Sequence, residues 1–185
     1  MMFGIAATGL IIYFFARKKP AIVNRTFGRL QIISSAWFAL THGANDGQKT
    51  MGIIVLILFS VGLIEELEMP LWVIFAAAAA MGLGTFFGGY KVIKTLGVKV
   101  TRLKPYQGFA AETSGGLMLA VFATLGIPAS TTHAITGTIM GAGSARRIRA
   151  VRWRVSRQII FSWVITIPGA AGLGIAFTYI IHLFL

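Results

Sequence analysis

Two short polar stretches interrupt a largely apolar chain. The first is Thr41-His42-Gly43-Ala44-Asn45-Asp46-Gly47-Gln48-Lys49-Thr50-Met51-Gly52, which holds the sole aspartate of the protein. Polar and ionisable groups are costly in a bilayer and mark ion or substrate paths. Asp46 and Asn45 offer oxygens, the ligand type of a hard cation such as Na⁺; Asp46 also suits a proton relay. Lys49 can attract an anion, or simply pair with Asp46 at i,i+3.

The second stretch is Gly126-Ile127-Pro128-Ala129-Ser130-Thr131-Thr132-His133. Pro128 disfavours helix at Ile127, and a hydroxyl after it can cap a new helix. A helix N-terminus presents unpaired N–H groups and the positive end of a dipole, which suits phosphate or a similar anion. Capping needs one hydroxyl; Ser130, Thr131 and Thr132 supply three, without adding negative charge. Glu112, in Ala111-Glu112-Thr113-Ser114, is a second candidate proton or cation site. Its alternative role is that of an interfacial carboxylate facing Lys104. His42 and His133 form a weak case for a metal pair, and no resident metal site is assigned.

Composition sets the medium for this chemistry. Of 185 residues 56% are hydrophobic and 12% charged, and mean hydropathy is +0.80. Soluble domains are about 25% charged, so the expectation is an all-α polytopic membrane protein. There is no cysteine, which excludes disulfides and thiolate metal sites. The net charge of +12 does not point to nucleic acid, because 16 of the 17 Lys and Arg fall in three clusters between apolar spans. Such clustering marks cytoplasmic loops. No P-loop, Rossmann fingerprint, zinc-protease motif or nucleophile elbow is present, so the chain is not read as an enzyme and no cofactor is expected.

The elements that must position the two stretches follow from the clusters. Residues 1–29 read as a partial span followed by a cytoplasmic loop, and residues 30–185 as one transporter repeat, within a single transmembrane domain. Leu30 to Ile64 is too long, at about 52 Å, for one crossing of a core about 30 Å thick. Glycines bracket Asn45-Asp46, so a broken transmembrane helix interrupted at 43–48 is expected, as in many secondary transporters. Leu71 to Tyr90 returns inward. Gly108 to Ala145 begins and ends at basic clusters, and its second limb is only about 20 Å long. That predicts a re-entrant helical hairpin, which is tolerable only with its tip buried in protein or lining a wet cavity. Gln158 to Leu185 is a last span containing Pro168.

Together the stretches His42-Gly43-Ala44-Asn45-Asp46 and Pro128-Ala129-Ser130-Thr131-Thr132-His133 resemble the inorganic phosphate transporter (Pit) family. Gly108-Phe109-Ala110-Ala111-Glu112-Thr113 and Trp163-Val164-Ile165-Thr166-Ile167-Pro168 support the resemblance, which runs from Leu30 to Leu185. It implies two inverted repeats, each with one copy of both motifs, and symport of phosphate with H⁺ or Na⁺. This chain has each motif once. It is similar to the C-terminal repeat of the bacterial low-affinity branch, because Gly47-Gln48-Lys49 stands where many members read Val-Ala-Asn. The resemblance implies a multi-pass protein of a bacterial-type inner (plasma) membrane, in contact with lipid and with an N-terminal repeat, fused or separate. The substrate would be phosphate, free or as a neutral metal–phosphate complex.

Combined with the charge types, the candidate phosphate ligands are Ser130, Thr131, Thr132, Asn45 and Lys49. The candidate coupling-ion residues are Asp46, Asn45 and Glu112. The competing readings are a non-transporting membrane subunit or fragment, and a permease for a related oxyanion such as sulfate.

The charge pattern predicts that the three basic clusters share one side of the membrane and Glu65–Pro70 the other. The chain lacks cysteine, so single cysteines report cleanly. A cysteine at position 66 is expected to react with an impermeant reagent from outside intact cells, and one at position 149 to react only after permeabilisation. Labelling of position 149 from outside would refute a hairpin that returns to its starting side.

Overall fold

The computed structural model describes residues 1–184. Among these, all regular structure is helical: α1 (Met2–Phe15), α2 (Pro20–Ser60), α3 (Leu71–Lys94), α4 (Pro105–Thr124), α5 (Thr131–Ser144) and α6 (Trp153–Phe184). A π-helical segment, Thr95–Val100, extends α3, and a single 3₁₀ turn, Ile148–Ala150, precedes α6.

The boundaries follow local chemistry. Pro20 and Pro105 occupy first-turn positions of α2 and α4, where a missing N–H leaves nothing unpaired. Both α2 and α4 end in a glycine of positive φ, Gly62 at 73° and Gly126 at 68°. At each, the residue after the glycine donates back to the carbonyl five residues earlier, Leu63 N to Leu58 O at 2.9 Å and Ile127 N to Phe122 O at 2.9 Å. These are Schellman closures, which need a left-handed residue that glycine supplies without strain. Pro128 then keeps the chain extended, and Ser130 opens α5 by accepting from His133 N at 3.3 Å.

Helix α2 departs from expectation. It is continuous over 41 residues, with no interruption at 43–48, and measures about 62 Å. Glycine inside a helix costs only about 1 kcal/mol relative to alanine, and no proline lies in the stretch. The polar side chains there bond at helical spacings: His42 with Asp46 at i,i+4, Lys49 with Asp46 at i,i+3, and Thr50 Oγ1 to the Asp46 carbonyl. These contacts favour the helix over a break. Two expected loops are also mainly helical. Residues 20–29 form the first turns of α2, so the division at 29/30 falls within a helix, and most of residues 91–104 continues α3.

The hairpin is present: α4 and α5 pack against each other around the turn at 125–130, and α2 lies along α4. Glycines allow that approach. A Cβ on Gly116 would meet the Trp37 ring at 2.8 Å, and one on Gly115 would meet Phe38 and Thr138 at 3.3 Å. Helix α1 crosses α5 in the same way, since a Cβ on Gly4 would fall on the Thr138 carbonyl and one on Gly141 on the Met1 carbonyl. Small residues at such crossings are what helix association in lipid requires. The apolar core gathers at the basic end, where Val100, Ala111, Ile139, Met140, Ala142 and Val151 cluster. Gln107 ties that end together, donating to the Ala142 carbonyl at 2.8 Å and accepting from Lys104 N at 3.0 Å.

Leu71–Val100 and Trp153–Leu183 are long and apolar enough to cross a membrane. Pro168 lies inside α6 without ending it.

Gly4→Ala is expected to loosen the α1–α5 crossing and lower thermal stability in detergent by about 1–3 kcal/mol, the usual effect of overpacking. Gly9→Ala, with nothing within 4 Å of the new methyl, should be neutral or mildly stabilising. Equal melting temperatures for the two variants would show that the crossing is not tight.

Candidate functional site

The side chain of Asp46 projects from α2 toward the hairpin turn. Its Oδ2 accepts from Thr131 Oγ1 at 2.9 Å and lies 3.1 Å from His42 Nε2. Its Oδ1 accepts from Lys49 Nζ at 3.1 Å. The Lys49 ammonium also donates to the Ala129 carbonyl, and Asn45 Nδ2 donates to that carbonyl at 3.4 Å. Ala129 lies in the non-helical turn, so its carbonyl is free of helical bonding and available to α2. Asn45 and Thr131 are buried, whereas Asp46, His42 and Lys49 are partly exposed. The two polar stretches, some 85 residues apart, thus converge on one carboxylate and one carbonyl.

The residues expected to act together divide into three groups. Asn45, Asp46, Lys49 and Thr131 share one network. Ser130 caps α5, and Thr132 is exposed beside it. Glu112 belongs to a separate cluster farther along α2, accepting from Ser34 Oγ at 2.6 Å and from Gln31 Nε2 at 3.3 Å. It therefore engages α2 rather than Lys104. The two histidines also separate: His42 serves Asp46, while His133 packs against Trp163 of α6 with ring centroids 3.8 Å apart and the rings inclined at 55°.

Gln31, Ser34 and the Ala129 carbonyl were not among the residues singled out from sequence. Gln31 and Ser34 are one helical turn apart on α2 and facing Glu112, a spacing visible only once Glu112 is placed opposite them. The Ala129 carbonyl has no residue-type signal at all.

A cleft of about 860 Å³ runs between α3 and the body formed by α2, α4 and α5. His42, Thr131 and Thr132 line it, as do Gln31 and Glu112. Gly84, Gly88 and Gly89 of α3 leave its opposite wall without bulky side chains. The cleft is a mostly apolar space with a few convergent polar groups, the usual form of a small-ligand site.

Among the described residues the architecture is all-helical, with two helices long and apolar enough to cross a membrane and a few polar side chains facing a common cleft, the class of helical membrane proteins. Residues 6–174 match the model of the phosphate transporter family, PHO4, and the chain belongs to that family. It is 49% identical over 163 residues to the "probable low-affinity inorganic phosphate transporter" of Rhizobium meliloti (strain 1021), covering 88% of this chain and 49% of that protein. Identity to the protein of the same description from Bacillus subtilis (strain 168) is 38% over 181 residues, or 95% of this chain and 54% of the relative. The chain thus spans about half the length of these relatives. Its fold superposes on a solved structure described as "the sodium-dependent phosphate transporter" with a TM-score of 0.70 and 31% identity, covering 85% of this chain and 41% of the other.

The Thr131–Asp46 bond joins hairpin to helix and is testable by a double-mutant cycle. Thr131→Val and Asp46→Asn, alone and together, are expected to show a coupling of about 1–2 kcal/mol in thermal unfolding. That lies between the membrane value for neutral bonds and the figure for bonds to a charge. Strict additivity would mean that the bond contributes nothing.

Proposed function

We propose that this chain is the C-terminal half of a phosphate symporter of a bacterial-type inner membrane, coupled to H⁺ or Na⁺, and that an N-terminal half, fused or separate, completes it. The observation that carries this reading is the meeting of Asn45, Asp46 and Lys49 with the hairpin turn and Thr131, next to a cleft that Thr131 and Thr132 line, in a chain of the phosphate transporter family.

In this reading the anion approaches the start of α5. The first N–H groups of that helix have no helical partners and face outward with the positive end of the dipole. Ser130, Thr131 and Thr132 add hydroxyls, and Asn45 and Lys49 complete the ligand set from α2. Asp46 and Glu112 carry the negative charge that the coupling cation answers, with Asn45 beside Asp46 as a neutral oxygen donor. A carboxylate repels phosphate, so the two charges require different residues even where they share a cleft. The hairpin is re-entrant: α5, at 14 residues, is about 21 Å long and too short to span. The chain forms a single transmembrane domain, inverted relative to its partner half.

The test is phosphate binding and uptake in vesicles carrying the chain together with an N-terminal half. Thr132→Ala is expected to weaken phosphate binding by about 1.5–3 kcal/mol, the worth of a hydrogen bond to a charged group. Asp46→Asn should abolish cation-driven accumulation while leaving phosphate exchange. Unchanged accumulation in Asp46→Asn, or sulfate uptake at the expense of phosphate, would refute the reading.

A further inference from the structure

We infer that Lys49 is a built-in cation: its ammonium occupies the place between the Asp46 carboxylate and the Ala129 carbonyl that a bound metal cation would otherwise take, so this half of the site binds no Na⁺. This rests on the reading of Asp46 as the coupling-ion residue and narrows that ion to a proton.

The donor set around the Lys49 Nζ is the starting point. It comprises one carboxylate oxygen, Asp46 Oδ1, and one backbone carbonyl oxygen, Ala129 O, from a turn that exposes it. Carboxylate and carbonyl oxygens are what a hard cation selects. Here both converge on an ammonium, a compact point charge with three donors. The other oxygen of Asp46 is occupied as well, by Thr131 Oγ1 and by His42 Nε2. Each oxygen of the carboxylate thus already has a partner.

Charge leads to the same result. Asp46 and Lys49 sum to zero, so a second cation would approach a neutral pair and meet an ammonium at contact distance. In a partly dehydrated setting that repulsion is weakly screened. The Ala129 carbonyl is equally engaged, since Asn45 Nδ2 also donates to it. Binding Na⁺ would therefore require Lys49 to leave both oxygens, which its flexible stem permits only at the loss of two charge-assisted bonds. Removing the ammonium has the opposite consequence. A short neutral residue at position 49 leaves one net negative charge and a carbonyl held only by the 3.4 Å bond from Asn45, the minimal elements of a monovalent cation site, and asparagine adds a further oxygen.

The experiment is thermal unfolding of the purified full chain in nanodiscs, in NaCl, KCl or N-methylglucamine chloride at constant ionic strength. The native chain should melt at the same temperature in all three. Lys49→Asn should melt higher in NaCl, with a saturable rise of a few degrees, and Asp46→Asn/Lys49→Asn should lose that rise. A saturable Na⁺ stabilisation of the native chain that Asp46→Asn removes would overturn the inference, as would a folded Lys49→Asn variant indifferent to Na⁺. Should Lys49→Asn not fold in any salt, the native chain and Asp46→Asn decide the matter alone. This readout needs no phosphate. In vesicles with an N-terminal half, phosphate uptake without Na⁺ by the native chain, and Na⁺-dependent uptake by Lys49→Asn, is the expected parallel. If neither protein moves phosphate while the melting pattern holds, the transport reading fails and the cation inference stands.

Discussion

The charge of Asp46 governs the arrangement around it. Moving a carboxylate out of water carries a penalty of several kcal/mol even after the protein relaxes. Interior attraction offsets this only where geometry is good and the remaining lone pairs are satisfied. Asp46 meets the condition with partners from two elements, His42 and Lys49 on its own helix and Thr131 on the hairpin. Lys49 neutralises the charge within α2, and docking the hairpin adds the Thr131 hydrogen bond to the same carboxylate. The turn of the hairpin has its own unmet demand, backbone groups that lack helical partners. Lys49 and Asn45 answer that demand at the Ala129 carbonyl. Each element supplies what the other lacks, and the glycines of α4 bring them within reach by letting α2 lie close.

Much of this was legible in the sequence. Pro128 and the hydroxyl after it mark where α5 opens, whereas the basic clusters place the ends only loosely, since two of them lie largely within helices. The hairpin followed from a segment flanked by like charge on both sides. The Asn45-Asp46 and Ser130-Thr131-Thr132 stretches do converge, but only the hairpin turn has unmet backbone groups, and α2 meets it through the side chains of Asn45, Asp46 and Lys49. The interrupted helix did not materialise. Glycines at 43 and 47 permit a break, but His42, Asp46, Lys49 and Thr50 sit at spacings that bond only while the helix is intact. Permission weighed less than those contacts. Partner identity was the other gap. Glu112 could be recognised as an anomaly, yet nothing in residue types says that it faces Ser34 and Gln31 rather than Lys104, because that depends on the rotation of α2 against α4.

The periphery follows a different rule from the centre. Helices α3 and α6 expose Phe75, Phe86, Phe87, Phe161, Ile167 and Phe177, side chains that would be a liability in water and carry no penalty against hydrocarbon. Buried contacts in this chain concentrate instead where glycine and small polar residues meet, at α1–α5 and α2–α4. Lipid tails are as apolar as leucine, so close fit and hydrogen bonding, rather than apolar area, hold the helices together.

The continuity of α2 has a mechanical consequence. One unbroken rod carries both polar clusters, Gln31 and Ser34 against Glu112 near one end and Asp46 against Thr131 farther along. A hinge at 43–48 would have let the two respond separately. Without it, sliding the hairpin by one helical turn, about 5.4 Å, would strip Ser34 from Glu112 and Thr131 from Asp46 in the same stroke. The two carboxylates are held against one helix, so any displacement of the hairpin along that helix breaks both sets of contacts together.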